Sequence, residues 1–300
     1  MNILFKFTRI KTTVIQPSYY LILLIFLLGC KKEVETFDAG SAWDFLEYQV
    51  TLGPRPVGSA AHGQTVEWIF ETLNEFEWET EIQESSKLGH PIRNIVARRG
   101  EGEPWIILGA HYDTRLISDE DSDPDKRTAP VLGANDGASG VAVLLELARV
   151  LPYDLDLQIW LVFFDAEDNG NIPGWDWIMG STAFVEQLSG VPDAVVILDM
   201  IGDADLNIYF EINSNDALKE EIWSKAESLG YSEYFIATPK FSMLDDHTPF
   251  LRADIPAVDI IDFDFPYWHT SQDTLENVSQ ESLEIVGNTI LAWLYDLANR

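Results

Sequence analysis

Residue types that ligate metals or move protons recur in this sequence where apolar runs end. His111-Tyr112-Asp113 follows the run at residues 105–110, Asp165-Ala166-Glu167-Asp168 follows the run at 157–164, and Asp199 follows the run at 194–198. Asp136 stands in Gly133-Ala134-Asn135-Asp136-Gly137-Ala138-Ser139-Gly140, ahead of an apolar helical stretch, and His269 follows Phe265-Pro266-Tyr267-Trp268. Imidazole and carboxylate together suit zinc, tetrahedral and with one position left open for water or substrate. A single Asp in such a place is ordinarily a helix cap or a turn residue, and Asp136 before a helix fits that description too. Capping does not explain two histidines and several acids converging on one rim, and the set reads as a catalytic metal site. Of the other histidines, His62 and His90 lie in polar, loop-like surroundings and read as surface residues. His247, in Leu244-Asp245-Asp246-His247-Thr248-Pro249-Phe250, either orients that site or bonds to the acids beside it.

The elements that must position these side chains follow from the hydrophobic pattern. Helical periodicity is expected at residues 41–50, 61–76, 141–150, 182–188, 215–229 and 281–298; Val66, Ile69, Phe70 and Leu73 share one face of the second. Short strands are expected at 78–83, 94–98, 105–110, 157–164, 194–198 and 257–261, the later ones as continuous apolar runs. Apolar strands alternating with helices predict an α/β fold, a single-domain α/β/α sandwich with a mixed, mostly parallel central sheet. In such a sheet ligands bind beyond the carboxyl ends of the strands. That is where the candidate residues lie.

The chain has 300 residues, 46% of them hydrophobic and 12% aromatic, enough to build a large core. Its 19 Lys+Arg against 50 Asp+Glu give a formal net charge of -31. Such a surface repels phosphates, so nucleic acid is excluded as a partner, while cationic ligands such as a peptide's N-terminal ammonium are attracted. The single cysteine, Cys30, rules out an intramolecular disulfide. It ends Leu27-Leu28-Gly29-Cys30, after Lys6, Arg9, Lys11 and an apolar run at 21–28 that is short for a membrane span. This resembles the lipobox of bacterial lipoproteins. The expected organisation is a signal peptide at 1–29, a lipidated Cys30 and tether at 30–40, and a catalytic domain at 41–300. The implied location is the bacterial cell envelope, anchored to a membrane through lipid on its periplasmic or extracellular face.

Gly53-Pro54-Arg55-Pro56-Val57-Gly58, Asn94-Ile95-Val96-Ala97, Ala110-His111-Tyr112-Asp113-Thr114, Asn135-Asp136-Gly137-Ala138-Ser139-Gly140 and the Glu167-Asp168 pair resemble, in order, the M28 zinc peptidases. The Asp245-Asp246-His247 segment and Trp268 directly before His269 are more similar to the glutaminyl-peptide cyclotransferase branch. The resemblance implies that Asp136, Asp168 and His269 hold one zinc and that Glu167 is the catalytic acid/base. It implies that Asp199 and Asp246 support Glu167 and that Trp268 walls the substrate pocket. Animal cyclases carry Glu where this chain has Asp168. In the aminopeptidase branch, residues at the positions of His111 and Asp199 hold a second zinc, so the metal count stays open. The implied reaction is cyclisation of N-terminal glutamine to pyroglutamate, with zinc aminopeptidase activity as the rival. Either way the implied partners are peptides or proteins with a free N-terminus.

Overall fold

The computed structural model describes residues 36–300; the expected signal peptide, Cys30 and the first part of the tether lie outside the described residues. The described chain begins with two capped helices. Asp38 accepts from Ser41 N–H at 2.8 Å to start α1 (Ala39–Thr51), and Ser59 accepts from His62 N–H to start α2 (Ala60–Glu75). A hairpin follows, β1 (Glu79–Lys87) and β2 (His90–Arg99), paired antiparallel. Then come β3 (Trp105–His111), α3 (Ala138–Val150), β4 (Gln158–Phe164), α4 (Met179–Gln187) and β5 (Ala194–Asp199). The chain closes through β6 (Ile208–Glu211), α5 (Asp216–Leu229), β7 (Phe235–Phe241), α6 (Thr248–Arg252), β8 (Ala257–Ile261) and α7 (Gln280–Ala298).

The main sheet has the order β1-β2-β4-β3-β5-β8. Strands β4, β3, β5 and β8 run parallel, and β2 joins β4 antiparallel, so the sheet is mixed and mostly parallel. Every residue of β3, β5 and β8 is buried, which requires cover on both faces. Alternate residues serve the two faces. Ala194, Val196 and Leu198 join the core built with α1, α2, α3, α5 and α7, while Val195 and Ile197 join Phe184 of α4 and Phe250 of α6. No helix among the described residues is long and apolar enough to cross a membrane.

Two features differ from the expectation. β6 and β7 form a separate parallel pair, irregular in register after Tyr209. They escape the sequence pattern because β6 is only four residues long and β7 leaves most of its residues exposed and contains Pro239. His62 is not a surface residue: it is 2% exposed on the inner face of α2, with Nε2 2.7 Å from Asp165 Oδ1.

The packing of α3 on the sheet allows little space. A Cβ added at Gly140 would stand 2.1 Å from the Leu198 carbonyl oxygen, whereas one at Gly63 in α2 meets nothing nearer than Arg93 at 4.0 Å. Gly140→Ala is therefore expected to lower unfolding stability by about 1–3 kcal/mol through overpacking. Gly63→Ala is expected to raise it by about 0.5–1 kcal/mol, the usual helix preference for Ala over Gly. Urea denaturation of the two variants beside the parent checks both signs.

Candidate metal centre and substrate cavity

The carboxyl ends of the parallel strands deliver their polar side chains to one rim. His111, the last residue of β3, is 1% exposed; its Nε2 lies 3.0 Å from Asp136 Oδ1 and 3.1 Å from Asp199 Oδ1. His269 Nε2 lies 2.7 Å from Asp168 Oδ1 and 3.7 Å from Asp136 Oδ2. Two groups of converging ligand atoms result, His111–Asp136–Asp199 and Asp136–Asp168–His269, and Asp136 belongs to both. Within each group the ligand atoms lie within 4.8 Å of one another. Asp168, shorter by a methylene than the Glu of animal cyclases, still reaches His269.

The donor set fits a divalent cation on an independent ground. Asp136 Oδ2 and Asp168 Oδ2 are buried and have no hydrogen-bond partner. A buried carboxylate oxygen without a donor is costly, and a zinc ion accepted by Asp136, Asp168 and His269 would satisfy both atoms. The loops that carry these ligands are themselves held by carboxylates. Asp113 Oδ1 accepts from Glu167 N–H at 3.0 Å and its Oδ2 from Asp168 N–H at 3.4 Å, fixing the turn after β4. Arg115 clasps the same turn, donating to the Asp168 carbonyl at 2.9 Å and the Gly170 carbonyl at 3.2 Å.

Beside the ligands lies a cavity of about 170 Å³. Asp136, Glu167, Asp168, Asp199 and Asp245 form its acidic side; Trp177, Met200, Met243, Leu244, Ile261, Phe263 and Trp268 form its apolar side. The Trp268 ring stacks on His269 with centroids 3.6 Å apart, and Trp177 lies nearly parallel to His269 at 5.9 Å. One ligand imidazole is thus flanked by two indoles. Of the two neighbouring acids at the start of the Asp-Asp-His segment, the cavity wall belongs to Asp245. Asp246, the acid expected at the site, is fully buried with neither oxygen hydrogen-bonded, and it is not among the residues that line the cavity. His247 lies between Glu211 (3.3 Å) and Asp259 (3.5 Å), in ion-pair reach of both, and is not among the residues that line the cavity.

Electrostatics follow from burial. Burial first, then the Asp136 charge, pushes Asp168 up to about 6, and burial with the Asp199 charge pushes Asp245 up to about 7. Burial also holds Glu167 well above the ordinary carboxylate range; the charges of Asp168, Asp245 and Asp246 add to this and His111 opposes it. His111 is itself held well above its usual value: burial opposes the charged form, but Asp199, Asp113 and Asp136 outweigh it. Trp177, Asp245 and Asp113 were not singled out in the sequence as site residues. Asp113 was in view beside His111, while Trp177 lies in an irregular stretch with no periodic signal.

Residues 94–294 match the family model described as Peptidase family M28. The glutaminyl-peptide cyclotransferase of Drosophila melanogaster is 28% identical, over 74% of this chain and 71% of that protein. The crystal structure of Porphyromonas gingivalis glutaminyl cyclase is 34% identical and superposes with a TM-score of 0.83, covering 87% of this chain and 99% of that one. A leucine aminopeptidase precursor from Bacteroides thetaiotaomicron is 32% identical at the same TM-score of 0.83, covering 88% of this chain and 98% of that one. The family match spans every one of the candidate ligands, from His111 to His269: the chain belongs to peptidase family M28, a family of zinc-dependent enzymes.

Proposed function

We propose that this M28 enzyme is a glutaminyl-peptide cyclotransferase, converting an N-terminal glutamine to pyroglutamate with release of ammonia. The observation that carries the reading is the make-up of the cavity. Glu167 shares one small space with the Asp136–Asp168–His269 group, with Asp199 and Asp245, and with an apolar wall that includes two indoles. About 170 Å³ accommodates one terminal residue folded on itself, with amine and side-chain amide held together. The likeness to the Drosophila and P. gingivalis proteins supports the same reading.

In the reaction the α-amine nitrogen attacks the side-chain amide carbon. The ring N–C bond forms as the bond to the amide nitrogen breaks, and one proton passes from the amine to the departing ammonia. Asp136, Asp168 and His269 would hold a zinc ion, whose chemistry when bound would be Lewis-acid polarisation of the amide carbonyl. Glu167 carries the proton; its raised pKa makes it a stronger base, once ionised, than an exposed carboxylate. Asp199 and Asp245 accept the substrate's N–H groups and favour the positive charge that develops there. Trp268 and Trp177 exclude water from the side-chain pocket. Glu167→Gln keeps the shape and removes the base. Turnover is expected to fall about 10²–10⁴-fold with zinc content unchanged. Near-parent turnover at full zinc, measured on a glutaminyl amide, would remove Glu167 from the mechanism.

The second reading is a two-zinc aminopeptidase, and the complete His111–Asp136–Asp199 group favours it. One experiment separates the two: a glutaminyl amide and a leucyl amide assayed side by side, with zinc counted per chain. Glutaminyl turnover, with zinc content undiminished in His111→Ala, is the expected outcome. Leucyl turnover, with zinc halved in His111→Ala, belongs to the aminopeptidase.

Buried acids make stability depend on pH. Burial, chiefly, pushes Asp245 and Asp262 up to about 7 and Asp246 and Asp273 up to about 8, from an ordinary value of 3.8. A folded-state pKa above the unfolded one contributes stability that is present below the unfolded value and lost as pH rises through the folded value. The metal-free protein is therefore expected to lose stability between about pH 5 and pH 8.5. Zinc should flatten that slope by stabilising the ionised acids around it. Denaturation midpoints with and without chelator test this; a metal-free protein steadily more stable towards pH 8.5 contradicts it.

Membrane anchoring through Cys30 in a bacterial envelope belongs to the same reading, on the strength of Leu27-Leu28-Gly29-Cys30 alone. Detergent phase partitioning of the full chain is expected to change on Cys30→Ala, from the detergent phase to the aqueous phase or to an unprocessed form. Identical partitioning of both forms would count against lipidation.

A further inference from the structure

The segment that carries Asp136 has little rigidity of its own. Gly133 and Gly137 flank it, Gly133 at a φ of +68°, and the N-cap of α3 is Gly137 with no side-chain cap. Its order comes from side chains elsewhere in the chain. The buried Arg55 guanidinium donates to the Leu132 carbonyl at 3.0 Å and the Gly133 carbonyl at 2.7 Å. Asn135 Oδ1 accepts from Gly202 N–H at 2.7 Å, which ties the segment to the turn after Asp199. Asp273 makes the most direct hold: one carboxylate oxygen accepts from Asn135 N–H at 2.7 Å and the other from Asp136 N–H at 3.1 Å.

Asp273 is fully buried, and it belongs to the run of turns that carries His269. Thr270 N–H bonds to the Tyr267 carbonyl and Asp273 N–H to the Thr270 carbonyl, so the two side chains leave one compact segment. A single carboxylate therefore joins the backbone of one ligand to the segment of another, across 137 positions of sequence. It does not cap α3, whose first turn lies beyond it, and it lines no part of the substrate cavity.

We infer that Asp273 is a positioning residue of the zinc centre: its bidentate hold on the Asn135 and Asp136 amides sets the separation between Asp136 and His269. The inference rests on the zinc-centre reading above and deepens it. Ligands that must each approach a metal to about 2.0–2.2 Å tolerate little drift, and with glycines on both sides only an outside clip can hold Asp136 to that tolerance. Outer groups that orient ligands typically account for about 10–100-fold in metal affinity.

The test is zinc affinity of the folded protein, measured with Zn²⁺ alone against a chromophoric chelator. Asp273→Asn preserves size but turns one acceptor into a donor facing an amide N–H. Zinc affinity is expected to fall by about 10–100-fold, with kcat at saturating zinc falling more than KM changes. Glu146→Gln is the control. Glu146 is another fully buried carboxylate that accepts from a backbone amide, that of Asp38, and pairs with Arg149 away from the centre. It should lower stability and leave zinc affinity alone. If Asp273→Asn does not fold, Asp273→Glu, which moves both oxygens by a methylene, is read in the same titration with the same loss expected. Parent-like zinc affinity in the folded variant overturns the inference. A parent that binds no zinc overturns the zinc-centre reading with it, so the two failures are distinct.

Discussion

Removing a carboxylate from water costs several kcal/mol unless a partner compensates, and one rim of this sheet buries Asp113, Asp136, Glu167, Asp168, Asp199, Asp245, Asp246, Asp259 and Asp273 together. The basic side chains buried nearby, Arg55, Arg115, His111, His247 and His269, are fewer than these acids. Backbone amides take part of the load: Asp113 and Asp273 each accept two. Protons take another part, which is why burial lifts Asp245, Asp246 and Asp273 towards or above neutrality. Among the described residues, the buried carboxylate oxygens left without donors are both of Asp246 and of Asp259, and one each on Asp136 and Asp168, the last two beside His269. For the oxygens of Asp136 and Asp168 a divalent cation would supply the compensation, at the point where the ligand atoms of these two residues and His269 converge.

The fold makes that concentration tolerable. Continuous apolar strands, covered on both faces, end in His111 and Asp199 themselves, and Phe164 and Ile261 are followed at once by Asp165 and Asp262. Arg55 shows how the two regions are joined. Burial pushes it down to about 10, still charged at neutral pH, while its donors go to carbonyls of Tyr112, Leu132 and Gly133. It thus contributes a positive charge near Asp136, Asp113 and Asp273 without pairing with any of them, and it braces two ligand loops through their backbones. Its place in the Gly-Pro-Arg-Pro segment gives that motif a physical meaning: the prolines and glycines bend the chain so that one guanidinium reaches under the rim.

Much of this was legible in the sequence because ligand positions coincide with the ends of apolar runs. His111, Asp199 and the Glu167-Asp168 pair can each be found by reading where hydrophobicity stops. Asp245 could not be distinguished from Asp246 that way, since both follow Leu244 and only the backbone decides which faces the cavity. Trp177 lies in the irregular residues before α4, where no period announces a buried face. His62 was legible in principle: Thr65, Val66, Ile69 and Leu73 place it on the inner stripe of α2, but its polar neighbours masked the pattern.

Backbone conformation adds a constraint that composition does not carry. Ala166, Met200 and His269 are not glycines, yet each has a positive φ, of 53°, 46° and 55°. Such residues cost on the order of 1–3 kcal/mol each and persist only where their surroundings over-determine them. Here each one adjoins or is a functional group: Ala166 precedes Glu167, Met200 follows Asp199, and His269 is itself a ligand. At Ala166 the left-handed turn ends β4 and presents the next two amides to Asp113, so Glu167 reaches the cavity while Asp168 reaches His269. At Met200 the same reversal places an apolar side chain on the cavity wall directly after an acid. An extended conformation at either position would carry the following residues along the strand direction and separate groups that must meet. The strain and the carboxylate crowding are therefore two aspects of one requirement, that side chains from distant strands converge within one metal's reach.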